Sequence, residues 1–344
     1  MAAPYLQGDE MTTKLITVDE ARALATDALV RCKAGPRQAA SVANALVEAE
    51  LIGQEGHGLR RLLTYAPQVL SGKVDGQAVP ELRRPRAGTI SINADYGFSY
   101  PAIDIAMEQL PVLANANGIG IAGIRSSHHA GAVGVFVEKL AQDGFVALMF
   151  VNTPAAIAPW NGGKPLYGTN PIAFAAPVPW AEPLVIDLSL SKVARGKIMT
   201  AQQKGEEIPE GWALDADGKP TTDPEMALQG GTMLPVGDAK GAMLALMVEI
   251  IAAALTGSNF GFEATSFFEP GGSASGTGQV IIAIDPGGLG AQGLARIGVM
   301  AAAVQGQAEA RLPGRRRQQI RAKRIMHGLE IDQDLFERIS ALGE

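Results

Sequence analysis

Short β-branched or apolar runs alternate with helical patterns through the middle of this chain, and no other feature limits its fold as strongly. Each run has the length and residue types of a buried strand. The runs are Thr89 to Asn93, Ile119 to Ile124, Val146 to Val151, Leu184 to Leu188 and Gln279 to Ile284. Helical patterns separate them at Tyr100 to Ala116, Ala132 to Asp143 and Lys240 to Leu255. Because alternating strands and helices pack in layers, the sequence predicts an α/β protein with a largely buried sheet.

Three helices are predicted before the first of these strands. Thr17 and Glu20 form a capping-box pattern that begins a helix from Val18 to about Cys32. A second helix runs from Pro36 to about Ile52, since a first-turn proline loses no hydrogen bond. A third is expected from about His57 to Leu70.

Composition excludes several classes of protein. Of the 344 residues, 47% are hydrophobic and 19% are charged, which is a globular balance in a chain long enough for two or three lobes. The net charge of −6 argues against nucleic-acid binding, which depends on basic residues that neutralise phosphates. Cys32 is the only cysteine and no histidine spacing suits zinc, so we expect no disulfide and no metal site.

Two segments bear on the location of the protein. The longest apolar stretch, Gly241 to Gly257, contains Glu249 and is shorter than the roughly 20 residues of a membrane span. Met1 to Lys14 is polar and has no signal-peptide pattern. We therefore expect a cytoplasmic protein with no membrane partner, in which residues 1–13 are disordered or an extension.

Two glycine-rich segments match the dinucleotide-binding motif of Rossmann domains. Gly118-Ile-Gly120-Ile-Ala-Gly123 spells a dinucleotide fingerprint, but a helix precedes it and a strand follows, which is the wrong order for a pyrophosphate at a helix N-terminus. Gly288-Leu-Gly290-Ala-Gln-Gly293 follows a strand, but no second strand ending in an acidic residue comes about 20 positions later. The sequence thus favours a fold other than Rossmann.

A polar stripe is the first candidate for chemistry. His57, Arg61, Thr64 and Gln68 recur at three- and four-residue intervals, so a helix would place them on one face. One interpretation is a solvated face. The other is catalytic, because a histidine titrates near neutrality and an arginine one turn away can hold a carboxylate with both arms. Reduction of a 2-oxo acid requires both functions.

Three further segments combine polar residues with turns. Ser126 to Ala132 follows a strand and leads into a helix, where free N–H groups commonly hold ligands. Tyr167 to Pro171 is a turn, either structural or functional. Asp187 closes a strand and could orient a histidine or cap a helix.

Basic residues concentrate near the C-terminus. Arg311 to Arg324 carries seven positive charges in fourteen residues of an acidic protein. Such a run is usually a solvated face. Arginines beside the Gly314 turn also suit the 2′-phosphate of NADP(H), and this interpretation favours NADP(H) over NAD(H).

Taken together, the motifs resemble the type 2 malate/L-lactate dehydrogenase family, which includes sulfolactate dehydrogenases and Δ1-piperideine-2-carboxylate/Δ1-pyrroline-2-carboxylate reductases. The resemblance covers nearly the whole chain after Thr13. Its motifs are His57-Gly-x-x-Arg61, Ser127-x-His129, Gly168-Thr-Asn-Pro-Ile-Ala-Phe174, Asp187-Leu-Ser-Leu-Ser191, Ala194-Arg-Gly-Lys197, Ile208 to Gly218, Lys240-Gly241 and Leu312-Pro-Gly314.

This resemblance implies an α/β, non-Rossmann fold with a central sheet domain that binds the nicotinamide cofactor, at residues 119–285. Residues 14–118 and 286–344 would form a helical lobe for substrate binding and dimerisation. The implied protein is a homodimeric oxidoreductase whose substrate is a small 2-oxo or 2-hydroxy carboxylic acid.

The resemblance also assigns roles to residues. His57 would be the proton donor, Asp187 the carboxylate that holds it, Arg61 the substrate clamp and Thr169 a second substrate contact. The residues implied to line the cofactor are His129, Ala130, Gly131, Ala132, Val133, Asp187, Leu188, Ser189, Lys240, Gly314, Arg315, Arg316 and Arg317.

Two residues depart from the family pattern and bear on substrate choice. Gly56 stands where the family usually has serine, and Ala239 where histidine or an aromatic residue is frequent. The segment Asn259 to Gly278 is typical of malate- or sulfolactate-type members, which we favour. The run Ser127 to His129 and the arginine-rich turn are typical of the cyclic imine reductases. A non-catalytic nucleotide-binding homologue is the alternative from another class.

Overall fold

The computed structural model of the protein describes residues 12–344. Numbered along the chain, the strands are β1 (Thr13–Ile16), β2 (Glu81–Arg86), β3 (Thr89–Asn93), β4 (Ile119–Ser127), β5 (Val146–Val151), β6 (Ile172–Val178), β7 (Ala181–Leu188), β8 (Ala213–Leu214), β9 (Pro220–Thr221), β10 (Thr232–Met233), β11 (Thr277–Ile284) and β12 (Leu329–Asp332). The helices are α1 (Val18–Arg31), α2 (Pro36–Leu51), α3 (Leu62–Leu70), α4 (Ser99–Asn117), α5 (Gly134–Gln142), α6 (Arg195–Lys204), α7 (Pro224–Leu228), α8 (Ala239–Val248), α9 (Gly293–Gln305), α10 (Arg315–His327) and α11 (Gln333–Ser340).

A seven-stranded sheet forms the centre of the fold, in the order β2-β3-β4-β11-β5-β6-β7. The late strand β11 lies between β4 and β5 and is antiparallel to both. The β3–β4 pair is parallel, whereas every other neighbouring pair of this sheet is antiparallel. The α/β class predicted from the sequence is confirmed, with a sheet that is mainly antiparallel.

Helices cover both faces of this sheet. The α4 and α5 helices bury Ile103, Leu110 and Leu140 against one face. On the other face α8 continues into a π-helical turn, Glu249–Ala254, and the two bury Val248 and other small apolar residues. This double coverage explains why the strands are continuous apolar runs.

The two ends of the chain meet in a second lobe. Strand β1 pairs with β12, and α1, α2, α3 and α11 enclose a separate apolar core that includes Leu29, Leu46 and Tyr65. Of the predicted extension, residues 1–11 lie outside the described part of the chain, while Thr13 already belongs to β1. Cys32 is fully buried in this lobe.

The predicted helix from His57 to Leu70 is wrong in its first half. Two 3₁₀ turns, Glu55–His57 and Leu59–Arg61, precede α3. His57 and Arg61 therefore lie on successive 3₁₀ turns, and they do not share one face of an α-helix. Among residues 12–344 no helix is both long and apolar enough to cross a membrane.

Candidate active site

A buried carboxylate shapes the turn that carries His57. Glu50, at the end of α2, accepts a hydrogen bond from the Leu59 N–H at 2.8 Å. A Cβ atom at Gly58 would lie 2.1 Å from Glu50 Oε1, so this close approach requires glycine. Because the carboxylate takes the N–H that would continue a helix, the chain turns sharply between the two 3₁₀ segments. Burial is the main cause that raises the pKa of Glu50 to about 7.

His57 stacks against a second imidazole, that of His129, in the loop after β4. The ring centroids are 5.2 Å apart and the planes differ by 18°. Nδ1 of His57 is buried and has no hydrogen-bond partner among the described residues. His129 Nδ1 is hydrogen-bonded to Tyr65 Oη at 2.5 Å, and Tyr65 Oη lies 3.1 Å from Tyr100 Oη. The α3 and α4 helices thus fix His129, which in turn supports the His57 ring.

All three histidines of this region resist protonation. Burial, followed by the positive charge of Arg61, lowers the pKa of His57 to about 4. Burial, then Lys73 and Arg61, lower the pKa of His128 to about 3. The pKa of His129 is also well below its ordinary value, mainly because it is buried. At neutral pH the site therefore contains neutral imidazoles beside a cationic arginine.

The two terminal nitrogens of the Arg61 guanidinium form no hydrogen bond or ion pair within residues 12–344. Its Nε donates to the Gly56 carbonyl at 2.7 Å, and its guanidinium carbon lies 4.9 Å from the centre of the Phe268 ring. Within residues 12–344, no carboxylate forms an ion pair with Arg61. The two terminal nitrogens are thus available to hold a carboxylate from outside the protein.

The loop between β4 and α5 presents free backbone N–H groups. None of the five from His129 to Val133 donates a hydrogen bond within the described chain. Gly131 has a φ of +63°, and a Cβ there would lie 2.7 Å from Tyr100 Oη. The side chains of Ala130, Ala132 and Val133 are buried, so this loop can contact a ligand mainly through its backbone. Such a row of N–H groups suits an anionic or carbonyl-bearing ligand.

Asp187 lies at the end of β7, where the loops converge. It accepts hydrogen bonds from the Gly134 N–H at 3.1 Å and from Gln54 Nε2 at 3.3 Å, and Arg317 Nη1 is 3.9 Å away. No hydrogen bond joins Asp187 to His57 in the described structure. Gln54, whose carbonyl accepts the His57 N–H, links Asp187 to the histidine turn instead.

In the arginine-rich segment, Arg311 to Arg324, some arginines form ion pairs inside the protein and others lie at the surface. Arg317, Arg321 and Arg324 lie on one face of α10 and pair with carboxylates of four other segments, namely α2, the 3₁₀ turn Glu55–His57, α5 and β7. Arg317 and Arg321 share the buried Glu138 of α5, at 3.8 and 3.2 Å. No ion pair with the protein occupies Arg315 or Arg316 at the start of the helix, among residues 12–344. These outer arginines beside Gly314 are therefore available to a phosphate.

A second buried carboxylate, Glu249, positions the Thr169 loop. It accepts hydrogen bonds from the N–H groups of Gly168 and Gly261 and from the side-chain amides of Asn152 and Asn170, at 2.9 to 3.3 Å. Thr169 itself lies beside Thr153, with its N–H bonded to Thr153 Oγ1 at 2.9 Å. Glu249 occupies the π-helical turn after α8, which explains a lone charge in the longest apolar stretch of the sequence.

Comparison with known proteins identifies the family to which this chain belongs. The family model described as malate/L-lactate dehydrogenase matches residues 16–340. The chain belongs to the malate/L-lactate dehydrogenase family.

Two curated members of the family are similar over most of their length. The (2R)-3-sulfolactate dehydrogenase (NADP(+)) of Chromohalobacter salexigens is 47% identical over 96% of this chain and 98% of that protein. The Delta(1)-pyrroline-2-carboxylate/Delta(1)-piperideine-2-carboxylate reductase of Pseudomonas syringae pv. tomato is 40% identical over 89% of this chain and 90% of the relative.

Solved structures of the family share the fold. The delta1-piperideine-2-carboxylate reductase of Pseudomonas syringae pv. tomato superimposes with a TM-score of 0.91 at 38% identity, covering 96% of this chain and 100% of that one. The sulfolactate dehydrogenase of Methanocaldococcus jannaschii gives a TM-score of 0.86 at 28% identity, with 96% of each chain covered. The predicted family and its non-Rossmann fold are confirmed.

Most predicted site residues of this family member lie in one connected region. His57, His129, Asp187 and Arg317 are linked through the contacts above, and Ser189 Oγ lies 3.3 Å from the Thr169 carbonyl. Leu188 is exposed next to them. Lys240 is exposed in the first turn of α8, and its amine forms no ion pair within residues 12–344.

The two residues that depart from the family pattern, Gly56 and Ala239, leave the contacts of the site intact. A Cβ at Gly56 would have no atom within 4 Å, and the residue's carbonyl already holds Arg61. Ala239 is the first residue of α8 and is partly buried. Neither departure removes a contact of His57 or Arg61.

Sequence reasoning missed the residues that support the histidines. Tyr65, Tyr100 and Gln54 were not predicted as site residues, and Gln68 was assigned to a polar stripe, although it is fully buried. Gln68 Oε1 accepts a hydrogen bond from His128 Nε2 at 2.8 Å. The three-residue spacing of Tyr65 and Gln68 in α3 was the available signal, but their histidine partners are more than 30 residues away.

Proposed function

We propose that this protein is an NADP(H)-dependent oxidoreductase that transfers hydride at C2 of a small 2-oxo or 2-hydroxy carboxylic acid. The observation that carries the proposal is the free fork of Arg61, next to the stacked rings of His57 and His129. A carboxylate and an adjacent carbonyl carbon can be held there beside an imidazole that exchanges protons.

The chain has the groups that such a cofactor needs. The free N–H groups from His129 to Val133 would hold the polar parts of the dinucleotide near the histidines. Arg315 and Arg316, at the N-terminal end of α10, would bind the 2′-phosphate that distinguishes NADP(H) from NAD(H). Lys240, Leu188 and Ser189 would complete the cofactor site. When bound, the reduced nicotinamide supplies the hydride.

The protein's own groups would perform the remaining steps. Arg61 would bind the substrate carboxylate in bidentate fashion, with Thr169 as a second contact. His57 would give a proton to the oxygen on C2 during reduction, and would take it back during oxidation of the hydroxy acid. Asp187 would act through Gln54 on the position of the histidine turn, since it makes no direct contact with His57.

A pH dependence follows from the low pKa of His57, about 4 in the ligand-free protein. Above that pKa the fraction of protonated His57 falls about tenfold per pH unit. We expect kcat/KM for reduction to fall as pH rises from 5 to 9, because the free enzyme must acquire the proton. The kcat/KM for oxidation should stay nearly constant in that range, since the neutral base is already present. Initial rates in both directions test this, and a flat profile for reduction would contradict it.

The substrate proposed first is of the malate, lactate or sulfolactate type, and a cyclic imine carboxylic acid is the alternative. The 47% identity to a sulfolactate dehydrogenase favours the first, while the superposition on a piperideine-carboxylate reductase supports the second. Both require a carboxylate clamp and a proton donor. They differ in whether oxygen or nitrogen on C2 receives the proton.

A spectrophotometric panel tests the proposal. The loss of absorbance at about 340 nm, the reduced nicotinamide band, is followed with NADPH and with NADH. The substrates are oxaloacetate, pyruvate, sulfopyruvate, Δ1-piperideine-2-carboxylate and Δ1-pyrroline-2-carboxylate. We expect turnover with a 2-oxo acid and a lower KM for NADPH than for NADH. No turnover, with NADPH binding demonstrated, would favour the non-catalytic homologue.

We further propose that the protein is a homodimer. The outer side of α8 and its π-helical extension exposes a contiguous set of large apolar side chains, namely Met243, Leu244, Leu246, Met247, Ile250 and Leu255. A patch of this kind is typical of a protein interface. Sedimentation velocity at micromolar concentration should give twice the mass of one chain, and a monomer would refute the proposal.

A further inference from the structure

The loop that connects the π-helical turn Glu249–Ala254 to β11 contacts the candidate active site. Phe267, in its middle, is buried, and its ring packs 5.0 Å from His128 and 5.2 Å from His129. The next residue, Phe268, is 41% exposed and lies against the guanidinium of Arg61. Two consecutive aromatic rings thus contact the histidines and the arginine of the candidate site.

The backbone on both sides of Phe268 is anchored to the end of α3 and the residues after it. Gln68 Nε2 donates to the Phe267 carbonyl at 2.8 Å, and Ser71 Oγ donates to the Pro270 carbonyl at 2.6 Å. The buried amine of Lys73 donates to the carbonyls of Ser266 and Glu269, at 2.6 and 2.8 Å. These four hydrogen bonds, from the same segment that carries Arg61, fix the ring relative to the guanidinium.

Arg61 is consequently held on two sides. The Gly56 carbonyl accepts a hydrogen bond from Arg61 Nε, and the Phe268 ring lies against the guanidinium carbon, Arg61 Cζ. A flat guanidinium restrained in this way loses little conformational freedom when a carboxylate binds, which increases affinity. We propose that Phe268 is a positioning residue that orients Arg61 for the substrate carboxylate. This inference rests on the proposed function of Arg61 as the clamp.

The test compares variants within the same loop. Phe268→Leu removes the aromatic face and keeps apolar bulk, whereas Phe268→Tyr keeps the face. Phe262→Leu is the matched control, since Phe262 is also exposed but stacks on Phe260, at 5.6 Å. Binding of oxamate, a small 2-oxo acid analogue, to the NADPH-saturated protein is measured by calorimetry, together with KM and kcat for the best substrate.

We expect Phe268→Leu to raise the oxamate Kd and the substrate KM about 5- to 30-fold, the range that cation–π contacts of ordinary strength produce. The kcat and the NADPH Kd should change less than about twofold, since Phe268 would act on ground-state and transition-state binding alike. Phe268→Tyr and Phe262→Leu should both resemble the unmodified protein. In an Arg61→Lys background, without a planar guanidinium to orient, Phe268→Leu should have an effect of less than about twofold.

Several results would overturn the inference. These are an unchanged oxamate Kd in Phe268→Leu, an equal effect of Phe262→Leu, and a full effect in the Arg61→Lys background. Absence of oxamate binding by the unmodified protein would overturn the clamp and this inference together. Normal oxamate binding that responds to Phe268→Leu, without turnover of any substrate, would refute the proposed reaction and leave the positioning role supported.

Discussion

Replacing His57 with alanine should lower kcat by about 10²- to 10⁴-fold, the usual contribution of a placed acid or base. His57 is the only histidine that combines partial exposure with proximity to the free Arg61 fork, because His128 and His129 are buried. The NADPH Kd should be unchanged, since the free N–H groups of the β4–α5 loop remain. Stopped-flow or steady-state rates with the best substrate give kcat, and nucleotide fluorescence gives the Kd.

His327 provides the matched control for this variant. It lies at the exposed end of α10 and is not part of the candidate site, so His327→Ala should leave kcat unchanged. His57→Asn, which fills more of the space beside the His129 ring, separates loss of the proton donor from loss of packing and should be as inactive as His57→Ala. If kcat in both His57 variants stays within about threefold of the unmodified value, His57 is not the proton donor.

The parts of the fold with local signals could be predicted from the sequence. The capping box of Thr17 and Glu20 forms both of its hydrogen bonds, at 2.7 and 3.2 Å, and α1 begins at Val18 as predicted. The apolar runs also became strands, since each is short and rich in β-branched or apolar residues, and the central strands β5 and β11 are largely buried. The position of β11 between β4 and β5 could not be predicted. That pairing joins residues more than 120 positions apart, and no local pattern encodes it.

The histidine turn shows how a distant residue can override a local pattern. The three- and four-residue spacing of His57, Arg61, Thr64 and Gln68 fits a helix, but the Glu50 carboxylate takes the Leu59 N–H and occupies the space next to Gly58. The residue types of the site were therefore predictable, whereas their geometry was not. Gly56 and Gly58 were the visible sign that the backbone would depart from a regular helix.

The arginine-rich segment shows the opposite case, in which the helical spacing of the arginines agrees with their contacts in the structure. Arg317, Arg321 and Arg324 recur every three or four residues and face the protein, whereas Arg315 and Arg316 do not pair with it. The spacing alone could have separated the three inward-facing arginines from Arg315 and Arg316, because only positions on one helical face can share buried partners. The identity of those partners, in α2, the 3₁₀ turn Glu55–His57, α5 and β7, depends on the tertiary fold.

Replacing Glu138 with leucine should destabilise the protein by about 3 kcal/mol, because it leaves Arg317 and Arg321 partly buried without their shared carboxylate. Glu138 is 1% exposed, and its ion pairs with the two arginines measure 3.8 and 3.2 Å. The value is at the lower end of the range of about 3–5 kcal/mol for breaking a buried pair, since Arg317 keeps Asp187 and Arg321 keeps Glu48. The midpoint of urea unfolding without cofactor measures the loss.

A triple variant distinguishes a charge effect from a packing effect. Glu138→Leu combined with Arg317→Met and Arg321→Met removes all three charges, and should recover most of the lost stability, because no arginine stays buried without its shared carboxylate. Asp187 loses Arg317 in this variant but keeps its hydrogen bonds from Gly134 and Gln54. Asp334→Ala is the control. Its pair with Arg338 is exposed on α11, so the free energy of unfolding should change by less than about 0.5 kcal/mol. If Glu138→Leu is as mild as this control, the buried ion pairs do not hold α10 against α5, and the docking of α10 must depend on its contacts with α2.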